Sequence, residues 1–269
     1  MKTSSSTPAL SLAAKAARGA DRILTLLTYF VLSLVIVYAS YAMWDNYQIL
    51  NGARADQSLL KFKPQLSAFG GGMTFAEILG VNRDVRAWLT VEGAGIDYPI
   101  VQGKDNSEYL NKDVFGNFSL SGSLFLDERN AGDFTDSYSL IYGHHMDANA
   151  MFGGLDHFLE ETFFQSHPTG TLILEHTAYE VDLFAAISAD AHDSIIFDPT
   201  GSAGNITPLM EFIKKQAVQY REVTLPEDPK ILGLSTCSDA SSSARVIVFG
   251  VLRAYSEGDL QDASGDQKP

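Results

Sequence analysis

"ILGLSTCSDASSSARVIVFG", residues 231–250, holds the chain's one cysteine, Cys237. An apolar run over 230–236 stops at the thiol. A second run, 245–252, begins at Arg245. Two short apolar runs around a polar, serine-rich link read as an antiparallel hairpin. In that register Cys237 and Arg245 end up at facing strand ends, about 5 Å apart. Two readings are open at this point. The thiol is either buried and inert, beside a solvated strand-end arginine, or it is a nucleophile. A guanidinium there would raise its thiolate fraction or steady an oxyanion beside it.

The same pattern extends outward. Short apolar runs between turn signals give candidate strands at 87–91, 96–101, 123–127, 138–142, 170–175, 179–188, 230–236 and 245–252. Eight short strands at this density point to a barrel or sandwich. Runs 170–175 and 179–188 read as a hairpin around a two-residue turn at His176–Thr177. Two helices interrupt the strands. Residues 150–164 carry Met151, Leu155, Phe158, Leu159 and Phe163 at helical spacing. Residues 207–219 carry Leu209, Met210, Phe212, Ile213 and Val218, with Pro208 in the first turn. Both stripes read as core contacts. A further short helix opens at Thr74, with Glu77 in capping-box position, and gives way to strand from about Ala87.

The N-terminal part is of another kind. Residues 23–44, "ILTLLTYFVLSLVIVYASYAMW", are uncharged and long enough to cross a bilayer as a helix. Lys2, Lys15, Arg18 and Arg22 precede them against Asp21 alone, so the positive-inside rule places 1–22 in the cytoplasm and the rest outside. Tyr38, Tyr41 and Trp44 lie where interfacial aromatics belong. Ser40-Tyr41-Ala42 resembles a signal-peptide cleavage site, but the apolar stretch exceeds a signal h-region, which favours a retained anchor. The expected organisation is a cytoplasmic tail (1–22), an anchor (23–44), a helical stalk (45–73) with a flexible "FGGGM" break at 69–73, a catalytic domain (74–253) and a disordered tail (254–269). The glycines at 70–72 are not followed by Lys-Ser/Thr, so they are no phosphate loop. Of the net charge of −14, residues 1–22 carry +3, which leaves −17 beyond residue 44. That acidic body argues against nucleic acid as a partner.

A thiol nucleophile needs an acid–base partner. Of six histidines, His144 and His145 follow a strand and a glycine in "YSLIYGHHMDANAMFGGL" (138–155), a loop of the kind that presents reactive groups. His157, His167, His176 and His192 have no special neighbours. His144, His145 and Asp147 are close in sequence, but adjacent strand histidines point to opposite sides and no second ligand cluster exists, so zinc is disfavoured. Nothing in the chain calls for a metal or organic cofactor.

These residues together resemble the sortases, membrane-anchored cysteine transpeptidases of Gram-positive surfaces. "LSTC" with an arginine eight residues on, and "IYGHH", carry the resemblance. Residues 82–130, "NRDVRAWLTVEGAGIDYPIVQGKDNSEYLNKDVFGNFSLSGSLFLDERN", are similar to the class B pattern, as is "MFGGL". The resemblance covers about residues 74–253. It implies a mainly β fold, an eight-stranded barrel with N-terminal helices and an extra helix between strands six and seven. It also implies cleavage of an LPXTG- or NPQTN-like sorting signal after Thr, through a thioacyl enzyme, with transfer to an amine on a peptidoglycan precursor or a pilin. By position Cys237 matches the nucleophile, His144 the acid–base group and Arg245 the oxyanion clamp. Ser235, Thr236, Asn106 and Leu110 match the peptide groove. The family implies a minor reactive thiolate–imidazolium fraction. Expected partners are secreted proteins bearing the sorting signal, the amine acceptor and the membrane. The serine-rich loop at 238–243 lacks an aromatic often found there in class B. Two other functions compete: an anchored cysteine peptidase that releases the acyl group to water, and a non-catalytic cell-wall-binding barrel.

Overall fold

The computed structural model describes residues 8–53, 57–64, 74–237 and 244–255. The glycine-rich break, the "SDASSS" link, the first seven residues and the tail from 256 lie outside them. The chain forms two compact units, residues 1–48 and 49–269. In the first, helix α1 (Pro8–Ala53) contains a stretch, Leu12–Tyr47, that is long and apolar enough to cross a membrane. Its apolar side chains from Ile23 to Trp44 are half or more exposed.

The second unit opens with α2 (Gln57–Leu60) and α3 (Thr74–Val81). Strands follow at β1 (Val85–Val91), β2 (Ile96–Val101), β3 (Leu124–Leu126), β4 (Tyr138–Gly143), β5 (Thr169–Ile173), β6 (Ala178–Asp190), β7 (Ala217–Tyr220), β8 (Ile231–Thr236) and β9 (Ala244–Ala254). Neighbours run β5-β1-β2-β3-β4-β8-β9-β6, and β6 pairs back onto β5. Eight strands thus close a barrel, which removes the open edges a sheet would expose. These are the eight runs expected from the sequence. The ninth, β7, hangs on β6.

Alternation decides which side chains fill the barrel. Leu232, Leu234 and Val248 point inward, to a core with Leu89, Ile100, Ile141 and Val181. Ile231, Ile247, Phe249 and Leu140 point outward, yet they are fully buried. The segment between β6 and β7 covers them. It contains α5 (Ser194–Phe197) and α6 (Thr207–Gln216), and Ile196, Leu209 and Ile213 close the second core. This wall is buried on both sides, so β8 reads as an unbroken apolar run.

Three sequence expectations need correction. Residues 150–164 do not form one helix. A 3-10 turn covers Gly153–Leu159, Glu160 is extended, and only α4 (Glu161–Ser166) is α-helical. The cause is close packing: a Cβ on Gly153 would come within 1.9 Å of the Met146 carbonyl oxygen, so the chain there lies flat against its neighbour. The second helix ends at Gln216, after Lys214 and Lys215, whose charges suit a helix C-terminus. Ala217 and Gln219 pair with β6 instead, and Val218 is exposed rather than core. The β5–β6 turn centres on Glu175–His176, one residue early, because the Leu174 amide donates to the Thr177 carbonyl.

Candidate active site

β4 and β8 run parallel, with Gly143 beside Thr236, and β8 and β9 run antiparallel, with Ser235 beside Ile247. The next residues on these registers are His144, Cys237 and Arg245. They occupy the same end of three adjacent strands, about 5 Å apart strand to strand. They also share a face: each lies two residues from an outward-pointing position, Tyr142, Ser235 or Ile247. The Cys237 amide donates to the Gly143 carbonyl at 2.7 Å, which ties the thiol's backbone to the residue before His144.

Each side chain has its own anchor. His144 Nε2 lies 2.8 Å from the Leu110 carbonyl oxygen. A carbonyl only accepts, so Nε2 carries the proton and Nδ1 is the nitrogen left for proton exchange. Arg245 Nη1 donates to the Thr236 carbonyl at 3.1 Å, and its guanidinium carbon sits 5.6 Å from the centre of the Phe197 ring. The Val246 amide donates to the Thr236 hydroxyl at 3.1 Å. Ser235 is fully buried and donates to the Thr236 carbonyl. Ser235 and Thr236 therefore bond to their own strand pair, and Leu110 meets the site through its backbone.

The half-buried Cys237 thiol has its pKa pushed up to about 11 by burial, against the opposing pull of Arg245. His145 stands apart, exposed and 2.7 Å from Asp156.

One group was missed in the sequence. Asp127, at the end of β3, is fully buried and gathers donors: Arg129 Nε and Nη2 at 2.8 Å, the Arg129 amide at 3.0 Å, Asn106 Nδ2 at 3.0 Å and the Tyr142 hydroxyl at 3.0 Å. Burial pushes its carboxyl up, but the Arg129 bonds outweigh that and hold it below the usual carboxylate range. Burial and the adjacent carboxylate push the Tyr142 phenol up. Asn106 thus belongs to this network, its Oδ1 accepting from the Glu128 amide. The available signal was an aspartate closing an apolar strand in "LFLDER", with an arginine two residues on.

A cavity of about 720 Å³ opens at the other end of the barrel, between α3 and the β5–β6 turn, lined by Phe75, Arg86, Asp133, Leu174 and His176. Cys237 is not among its lining residues.

A closed barrel that sets a thiol, an imidazole and a guanidinium side by side at one rim is a scaffold for cysteine-based acyl transfer. Residues 89–253 match the Sortase domain model, and the chain belongs to the sortase family of cysteine transpeptidases. Within the family its likeness is to class B. Sortase B of Listeria monocytogenes is 32% identical over 174 residues, 64% of this chain and 71% of that one. A Streptococcus pyogenes class B sortase involved in pilus biogenesis superposes with a TM-score of 0.62 at 44% identity, over 68% of this chain and 99% of that one. The Staphylococcus aureus sortase B–substrate complex gives 0.66 at 27% identity, over 73% and 93%.

Proposed function

We propose that Cys237 is the nucleophile, His144 the acid–base group and Arg245 the oxyanion donor of a membrane-anchored class B transpeptidase. The observation that carries this is the shared end and shared face of β4, β8 and β9. The Cys237 sulfur attacks the carbonyl carbon of the Thr in a secreted protein's LPXTG- or NPQTN-like signal. Its proton passes to Nδ1 of His144. The tetrahedral oxygen draws on the Arg245 guanidinium, a fixed donor in a partly dry site. The C–N bond breaks, the leaving amine takes the proton from His144, and a thioester remains on Cys237. An incoming amine then attacks the thioester and the thiol is regenerated. Leu110 and Asn106 shape the loop side of the peptide's bed, and Ser235 and Thr236 hold its floor from within β8.

Residues 23–44 anchor the enzyme as a single span, with 1–22 inside the cell and the catalytic domain (74–253) outside. This keeps it where secreted substrates emerge. The likeness to a sortase involved in pilus biogenesis favours a pilin lysine over a peptidoglycan amine as acceptor.

Incubating the full chain with a sorting-signal peptide and either a lysine-bearing pilin peptide or a glycine-based amine tests the reaction. Ligated product, lost in Cys237→Ala, is expected. Release of free acid alone, whichever amine is present, would replace transfer with hydrolysis.

A further inference from the structure

The ring beneath Arg245 is fixed in two ways. The Phe197 ring stacks on Tyr142, with centroids 6.5 Å apart and planes 13° from parallel. The Phe197 carbonyl accepts from Arg129 Nη2 at 2.7 Å, while Arg129 Nη1 reaches Asp198 at 3.2 Å. Tyr142 and Arg129 both donate to the buried Asp127. One carboxylate in the barrel wall therefore sets both the face and the backbone of the ring on which the guanidinium rests. A ring face attracts a guanidinium without using its N–H donors. The guanidinium can therefore rest on the ring while Nη1 donates to the Thr236 carbonyl.

We propose that Phe197 is a positioning residue for Arg245, and that the Asp127–Arg129 pair is the anchor that places it. The inference rests on the oxyanion role given to Arg245 above. Phe197 touches no reacting atom in this scheme; it sets the angle of the group that does.

The test uses the full chain in detergent and a fluorogenic sorting-signal peptide. Phe197→Leu keeps apolar bulk and removes the π face. It lowers kcat about tenfold with little change in KM, because the arginine acts on the transition state. Phe197→Tyr recovers most of that rate. Arg129→Lys, which keeps the charge but loses the planar fork, moves kcat in the same direction as Phe197→Leu. The pH midpoint of Cys237 alkylation gives a second readout that needs no turnover. Arg245→Ala raises it, Phe197→Leu raises it part of the way, and the double variant equals Arg245→Ala alone. If Phe197→Leu raises KM with kcat unchanged, the ring binds peptide directly and the inference falls. Equal shifts by Phe197→Leu with and without Arg245 also overturn it. Full activity in Arg245→Ala would instead overturn the oxyanion assignment itself.

Discussion

Cys237 carries its thiol half-buried at the end of β8, and burial outweighs the pull of Arg245. With a pKa of about 11, about one thiol in ten thousand is ionised at pH 7. In the proposed mechanism the resting thiol is therefore a weak nucleophile. Iodoacetamide labelling of the free enzyme should keep rising through pH 9 and level off near 11. A plateau below pH 8 would instead mean a resting ion pair. Asp127 works the other way. Its carboxyl lies below the usual range, so its contribution to stability is in place above about pH 4, its unfolded value, and is lost as pH falls through the folded value. Asp127→Asn should flatten the acid limb of a stability–pH curve. Arg129→Ala strands the buried carboxylate. Because Arg129 is 36% exposed, the loss should be about 2 kcal/mol in urea unfolding, less than for a fully buried pair.

The loop between β2 and β3 brings the Leu110 carbonyl to His144, and its shape depends on one turn. Gly122 has φ +58°, and a Cβ there would meet the Leu110 and Tyr109 carbonyl oxygens at 2.5 and 2.6 Å. Gly122→Ala should push the Leu110 carbonyl away from the imidazole and cut kcat about tenfold or more, while KM changes less. Unchanged kcat would detach the loop from the chemistry. The strands were legible in the sequence because a period of two leaves a mark that turn residues punctuate. The ends of β4, β8 and β9 were legible for the same reason, so Cys237 and Arg245 read as facing strand ends, in line with the β8–β9 register. Residues 150–164 misled because apolar spacing alone does not reveal a backbone pressed against Met146. Val218 misled because a helix and a following edge strand share one apolar pattern. Asp127, Phe197 and the Leu110 carbonyl were hidden for another reason. The Asp127–Arg129 pair apart, their partners lie 15 to 68 residues away, and a backbone carbonyl has no letter in the sequence.

At the scale of the molecule, the barrel and the N-terminal helix fall in two compact units. In the proposed function the first supplies geometry and the second supplies place. Residues 49–269 form a compact unit and should cleave a dissolved peptide within about twofold of the full chain's rate. Processing of a membrane-inserted substrate in vesicles should fall about a hundredfold when residues 1–48 are removed, since the shared surface no longer concentrates the two. The most direct test of the account is intact-mass spectrometry of the protein quenched during reaction with a sorting-signal peptide. The account predicts a mass increase equal to the peptide fragment up to and including Thr, mapped to Cys237, sensitive to hydroxylamine and absent in Cys237→Ala. Turnover of the peptide by Cys237→Ala at the unmodified protein's rate, with no adduct on the thiol, would contradict it.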